Sequence, residues 1–264
     1  MSNPRPVAFF DFDGTLSRIR SGWQTVMADH MLEVLLGTAV AAAAHPALSE
    51  RVADAIEGLS GRPTILQMEW LVAEVEQRGG RALPAADYKE QFADHIGERV
   101  EARVQALQLG SAQPADLLVP GAAEFLALLR QRDVQCYIGS GSDEAAVRAE
   151  AQALGIAGAF AGIYGAWPDN LLRDKHALVA QVLAESGCSG AQLFGFGDGA
   201  IDMQAVCAAG GFAIGVAFNE LAGAGPDAGK RERLLAAGAH LVVTDYTAAA
   251  PLLQAISGQP AAAN

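Results

Sequence analysis

An apolar run, Val7-Ala8-Phe9-Phe10, ends against two carboxylates one residue apart, Asp11 and Asp13, and a Gly14-Thr15 turn follows. Residues 7–12 read as a short buried strand bounded by Pro6 and Gly14. Two acids at the tip of such a strand do nothing for stability, because taking a carboxylate out of water is expensive. A hard divalent cation with oxygen ligands is the simplest offset. The turn that Gly14 permits brings both acids to one place.

The rest of the chain says what that strand belongs to. From Ser21 the apolar residues recur at helical spacing: Trp23, Val26, Met27, Met31, Val34 and Leu35, with Gly37 as a stop. Ser49 is placed to cap a second helix through Leu59, and Pro63 suits the first turn of a third. Tyr88, Phe92, Ile96, Val100, Val104 and Leu107 mark one or two more. No strand signal interrupts residues 21–109, and 110–114 read as a linker. Beyond it strands at 134–139, 163–164, 193–196, 213–216 and 241–243 alternate with helices. That alternation predicts an α/β fold, a doubly wound, mainly parallel sheet with helices on both faces. The expected division is an α/β core from residues 1–20 and 111–264 with an all-helical block, 21–110, inserted after the first strand. Ligands of open α/β sheets sit at the carboxyl ends of the strands. The insertion leaves the sheet at that end, which makes it a natural lid.

Composition narrows the function classes. At 264 residues, 51% hydrophobic and 18% charged, the chain is expected to fold around a substantial core. A net charge of −12 argues against nucleic-acid binding. Cys136, Cys188 and Cys207 are widely spaced and form neither a disulfide framework nor a zinc signature. Asp11 arrives before a signal-peptide core is complete, and the alanine-rich stretch 39–44 is too short to span a bilayer. A cytoplasmic protein without a membrane or nucleic-acid partner is the expectation. The tail 257–264 is expected to be disordered, and the five histidines form no cluster in the sequence.

Four features fall just past strand ends: Asp11/Asp13, Ser140-Gly141-Ser142-Asp143, Asp174-Lys175, and Gly197-Asp198-Gly199-Ala200-Ile201-Asp202. With these in this order, the chain resembles the haloacid dehalogenase-like (HAD) superfamily, specifically its Mg2+-dependent phosphatases with a helical cap of the C1 type. The resemblance covers residues 7–20 and 118–256. It implies a Rossmann-like core with an inserted cap domain. It also implies hydrolysis of a small phosphorylated metabolite, a sugar phosphate or small organic phosphate, through an aspartyl-phosphate intermediate. Asp11 is then the nucleophile and Asp13 the acid and base. Mg2+ is held by the Asp11 side chain, the Asp13 carbonyl and Asp198.

The residue types suit those roles. A carboxylate accepts a phosphoryl group as an acyl phosphate, splitting one hard step into two, and a second carboxyl can serve both half-reactions by alternately giving and taking a proton. Thr15, Ser140, Gly141 and Lys175 are the candidates for phosphate binding, Lys175 as the mobile cation that phosphoryl transfer needs. Asp202 is a candidate to bind metal through water or to orient Lys175. Asp174 reads as a helix cap, and so does Ser142. Arg18, Arg20 and Trp23 at the hinge, with Arg62 and Gln67 in the helical block, are candidates for substrate specificity.

Asp13 and Asp198 argue against the dehalogenase branch, and Asp13 with Lys89 as the block's single lysine argues against the phosphonatase branch. An ion-pump relative would need membrane spans. A phosphomutase shares all four motifs and stays open, as does a catalytically silent module that binds a phosphorylated metabolite.

Overall fold

The computed structural model describes residues 5–38, 45–166 and 174–256. The alanine-rich stretch and the tail beyond 256 lie outside them.

Six parallel strands form one sheet: β1 (Val7–Phe10), β2 (Gln135–Asp143), β3 (Phe160–Ala166), β4 (Leu193–Gly197), β5 (Phe212–Val216) and β6 (Leu241–Val243). Their order is β3-β2-β1-β4-β5-β6, so β1 lies in the interior between β2 and β4. All four β1 residues are buried, and they alternate between two cores as the pleat demands. Ala8 and Phe10 join the core formed with Phe125, Val147 and Leu252 from helices α5 (Ala122–Gln131), α6 (Glu144–Ala153) and α10 (Ala249–Ile256). Val7 and Phe9 join the one formed with Leu178, Met203 and Leu234 from α7 (Lys175–Ser186), α8 (Ala200–Ala208) and α9 (Ala228–Ala236). The doubly wound sheet is therefore as expected. Helix α10 carries no punctuation that sequence reasoning detected, and its register emerges only from Leu252 and Ile256 packing on the sheet.

Between β1 and β2 run α1 (Trp23–Leu36), α2 (His45–Gly58), α3 (Thr64–Gln77) and α4 (Ala85–Gln108). They share a third core, with Met27, Met31, Val52, Met68, Leu71 and Phe92 among its members. α2 starts before the expected Ser49 cap, and the residues after Pro84 form one 24-residue helix. Packing α1 against α4 also brings His30 and His95 together, ring centroids 5.4 Å apart, a pairing that sequence distance concealed.

The chain leaves and re-enters the sheet at one point. Ser17 bridges Leu118, Arg18 N–H donates to the Leu117 carbonyl (2.7 Å), and Val119 N–H donates to the Leu16 carbonyl (2.9 Å). The helical block thus hangs from two adjacent strands of chain beside the tip of β1. The three cysteines are free thiols. No described helix is long and apolar enough to cross a membrane.

Candidate active site

The tips of β1, β2 and β4 set the geometry. Asp11 follows β1, and its N–H donates to the Phe196 carbonyl of β4 (2.8 Å), extending the ladder one residue. Lys175 opens α7, whose N-cap Asp174 accepts from Ala177 N–H (2.9 Å), as its sequence position suggested. A lysine there opposes the helix dipole, so something stronger must hold it. Its ammonium contacts Asp11, Asp202 Oδ1 (2.7 Å) and the Gly139 carbonyl (2.7 Å), with the side chain only 1% exposed. Burial works against the ammonium, but Asp11 and Asp202 outweigh it and raise its proton affinity. Asp202 thus contacts Lys175, and it also stands in the carboxylate cluster, so both of its sequence-derived options remain within its reach.

Carboxylate oxygens of Asp11, Asp198 and Asp202 lie within 4.8 Å of one another. Burial raises the Asp11 pKa well above the ordinary carboxylate range. Lys175 opposes that rise, while Asp202 and Asp198 add to it by repulsion. Counted as ionised, the three carboxylates outnumber by one the two lysines that reach them, Lys175 and Lys230. An all-oxygen donor set with surplus negative charge fits a hard divalent cation such as Mg2+. Asp13 contributes no carboxylate to the cluster. Gly14 permits the approach of the two loops: its φ is +72°, and a Cβ there would stand 2.2 Å from Asp198 Oδ2.

Two residues beside this cluster escaped sequence reasoning. Lys230 of α9 reaches Asp198 Oδ2 at 2.8 Å and Glu220 at 3.7 Å. Burial and the nearby Asp198 push the Glu220 carboxyl up to about 7. Neither lies next to a recognisable motif, and only the packing of the β5–α9 loop against Asp198 reveals them.

At the β2 tip the pairing with β3 is irregular between Gly139 and Asp143, which frees Ser140, Gly141 and Ser142 to face the cleft. Ser142 does not cap α6, the expected alternative. Its hydroxyl donates to Asp13 Oδ2 (3.0 Å) and accepts from Arg20 Nη1 (3.1 Å). Arg20 in turn grips Glu150, a buried acid in the middle of α6. Burial raises the Asp13 pKa, and the nearby Arg20 limits the rise.

The helical block closes over these tips. Trp23, Arg62, Thr64 and Gln67 line the cleft opposite Asp11, Asp13 and Ser140, leaving a narrow, partly open space of about 70 Å³. A Cβ on Gly141 would lie 2.8 Å from the Arg62 carbonyl, so the β2 loop and the 60–64 turn are in near contact. Gln67 is buried, and the Arg62 side chain is exposed at the rim. Lys89 of α4 pairs with Asp143 (2.6 Å), and Glu57 of α2 with Arg233 of α9 (2.9 Å).

Two candidates fall elsewhere. The Thr15 side chain is fully buried behind the turn, its hydroxyl without a hydrogen-bond partner, and it does not line the cleft. The Arg18 guanidinium lies over the Phe218 ring, 5.1 Å from its centroid, because the Ser17–Leu118 bridge carries it away from the opening. Arg20 does reach the cleft, but Glu150 holds its guanidinium.

A family model for haloacid dehalogenase-like hydrolases matches residues 6–210. Among solved structures, a predicted phosphoglycolate phosphatase from Haemophilus somnus is 16% identical with a TM-score of 0.64, the match covering 96% of this chain and 100% of that one. A predicted phosphatase from Clostridium acetobutylicum is 17% identical with a TM-score of 0.63, over 97% and 100%. A β-phosphoglucomutase from Clostridium difficile is 17% identical with a TM-score of 0.59, over 91% of each chain. At these identities the likeness is one of fold. No curated protein matches the sequence significantly.

Proposed function

The chain belongs to the haloacid dehalogenase-like hydrolase family, and on that premise we propose that it is a Mg2+-dependent phosphatase of small phosphorylated metabolites. One observation carries the reading. Carboxylate oxygens of Asp11, Asp198 and Asp202 lie within 4.8 Å of one another, buried Lys175 joins Asp11 to Asp202, and Asp13 lines the same cleft.

Asp11 attacks phosphorus, and the ester P–O bond breaks as an acyl phosphate forms on Asp11. Asp13 gives its proton to the departing alkoxide, then takes one from the water that attacks the acyl phosphate. Breaking the P–O bond to Asp11 releases inorganic phosphate and restores both carboxyls. Lys175 holds Asp11 in place and offers positive charge to the phosphoryl oxygens, which Ser140 and the Gly141 amide receive from the β2 side. Asp11, Asp198 and the Asp13 carbonyl would hold Mg2+, with Asp202 within reach. When bound, the cation neutralises charge on the transferring group.

We assign residues 21–110 the role of a cap. The narrow space under the helical block supports a small phosphate ester as substrate rather than a phosphoprotein. Trp23, Arg62 and Gln67 are the side chains placed to meet its distal end.

The test is phosphate release from a panel of small phosphate esters, with Mg2+ or a chelator, for the wild type and Asp11→Asn. Expected is release that needs Mg2+ but no bisphosphate activator, and loss of turnover in a variant that still folds. Turnover only with a bisphosphate would make the protein a mutase, and binding without turnover a silent module. Equal activity in Asp11→Asn would remove the nucleophile assignment.

A further inference from the structure

Glu150 is a carboxylate with no access to substrate. It lies in the middle of α6, its side chain 6% exposed, and does not line the cleft. An isolated acid buried there would be costly. The structure gives it a full partner: Arg20 Nε at 3.1 and 3.0 Å from its two oxygens, and Nη2 at 2.7 Å.

Arg20 is thereby held in one orientation. Its remaining terminal nitrogen, Nη1, donates to the Ser142 hydroxyl at 3.1 Å. That hydroxyl has one proton, and with a lone pair turned to Arg20 it directs the proton at Asp13 Oδ2, 3.0 Å away. Asp13 Oδ1 is left buried with no hydrogen-bond partner, and Arg20 Nε stands 3.8 Å from it. The chain therefore joins a remote helix to the carboxyl at the cleft through three side-chain contacts in series.

The competition inside this chain matters. A guanidinium fork prefers a carboxylate to a hydroxyl, and Arg20 has two within reach. While Glu150 occupies the fork, Asp13 is hydrogen-bonded to it only through Ser142, and their direct approach stays at 3.8 Å. Without Glu150, Arg20 is free to close the 3.8 Å gap and pair with Asp13 directly. The pair would engage the Oδ1 atom that now has no hydrogen-bond partner.

We propose that Glu150 is a positioning residue for proton delivery: by occupying Arg20 it keeps Asp13 aimed through Ser142 and keeps Arg20 off Oδ1, so that the Asp13 carboxyl is free to give its proton to the leaving oxygen. This rests on the phosphatase reading above. In the first half-reaction the proton leaves the Asp13 carboxyl for the ester oxygen as the P–O bond breaks, and Glu150 and Arg20 exchange none.

The experiment compares an alkyl phosphate with p-nitrophenyl phosphate, whose leaving group departs as a stable anion and needs little proton assistance. Glu150→Ala should lower kcat on the alkyl ester by about 100-fold and on p-nitrophenyl phosphate by less than about threefold, with KM little changed, the size expected of general acid catalysis. Ser142→Ala should show the same selectivity; Glu150→Gln, which keeps the volume and one acceptor oxygen for Arg20 but not the charge, should show it with a smaller loss, and it decides the matter if Glu150→Ala does not fold. A wild type that releases phosphate from neither ester overturns the phosphatase reading, and this proposal with it. With the wild type active, equal losses on the two esters, or no loss, in the variants that fold overturn the proposal alone.

Discussion

Replacing Lys175 with methionine tests the electrostatics of the site most directly. The substitution keeps length and apolar volume but removes the one cation that bridges Asp11 and Asp202. The paired side chains are 1%, 8% and 2% exposed, so solvent screening offers little relief. Removing one partner of a buried ion pair costs about 3–5 kcal/mol, because the other charge stays behind. That is a large share of the roughly 5–15 kcal/mol that holds a typical domain together. Urea unfolding in a chelator measures it as a lower midpoint at an unchanged slope. The deficit should also depend on pH. Burial already raises the Asp11 and Asp202 pKa values, and Lys175 is the main opposing influence. Without it both folded-state values rise further above the unfolded ones. A carboxyl shifted up contributes its stability below the unfolded pKa and loses it as pH rises through the folded one, so the deficit should be larger at pH 8 than at pH 5. Mg2+ binding only the folded state at a hundredfold over its Kd adds about 2.7 kcal/mol. It should recover more stability in the variant than in the wild type. A variant within about 1 kcal/mol of wild type in chelator, or an equal deficit at both pH values, would show that Lys175 does not carry this charge balance.

Gly14→Ala places a Cβ 2.2 Å from Asp198 Oδ2 at a φ of +72°. Left-handed backbone alone costs about 1–2 kcal/mol, and Asp198 must also move, so both the melting temperature and its increase with added Mg2+ should fall; an unchanged Mg2+ response would refute the close approach. Burial, and then the neighbouring His95, lower the His30 pKa, with Glu33 opposing. The unfolded histidine takes up a proton as pH falls below about 6.5 while the folded one resists, so stability present at neutral pH is lost on acidification. His30→Gln should flatten the decline in urea midpoint between pH 7.5 and 5.5, and an identical slope would remove His30 as its source.

Much of the candidate site was legible because the placement of its acids is local. Asp11 and Asp13 sit two residues apart on a strand tip, and Asp198 and Asp202 lie on one loop entering a helix, so short-range spacing already puts them at carboxyl ends. Asp174 was readable as a cap for the same reason. Glu150 was not, since an acid inside an amphipathic helix looks solvated until its face is known. Lys230 and Glu220 were hidden because they follow β5, far along the chain from Asp198. Ser142 was misread as a cap because sequence does not say whether β2 continues past Gly139. Thr15 and Arg18 were misplaced because sequence does not say which way a side chain beyond the turn points, and packing puts Thr15 in the interior and Arg18 across the Phe218 ring.

The sequence by itself determined the layered sheet, the helical insertion after the first strand, and the acids at the strand tips. Hydrophobic period and strand-end chemistry are properties of neighbouring residues. Tertiary structure alone decided which charges neutralise which: Lys175 between Asp11 and Asp202, Lys230 on Asp198, and Glu150 on Arg20. Those pairings depend on distances across elements more than a hundred residues apart in some cases, such as 164 between Lys175 and Asp11, and only packing the sheet against its helices sets such distances.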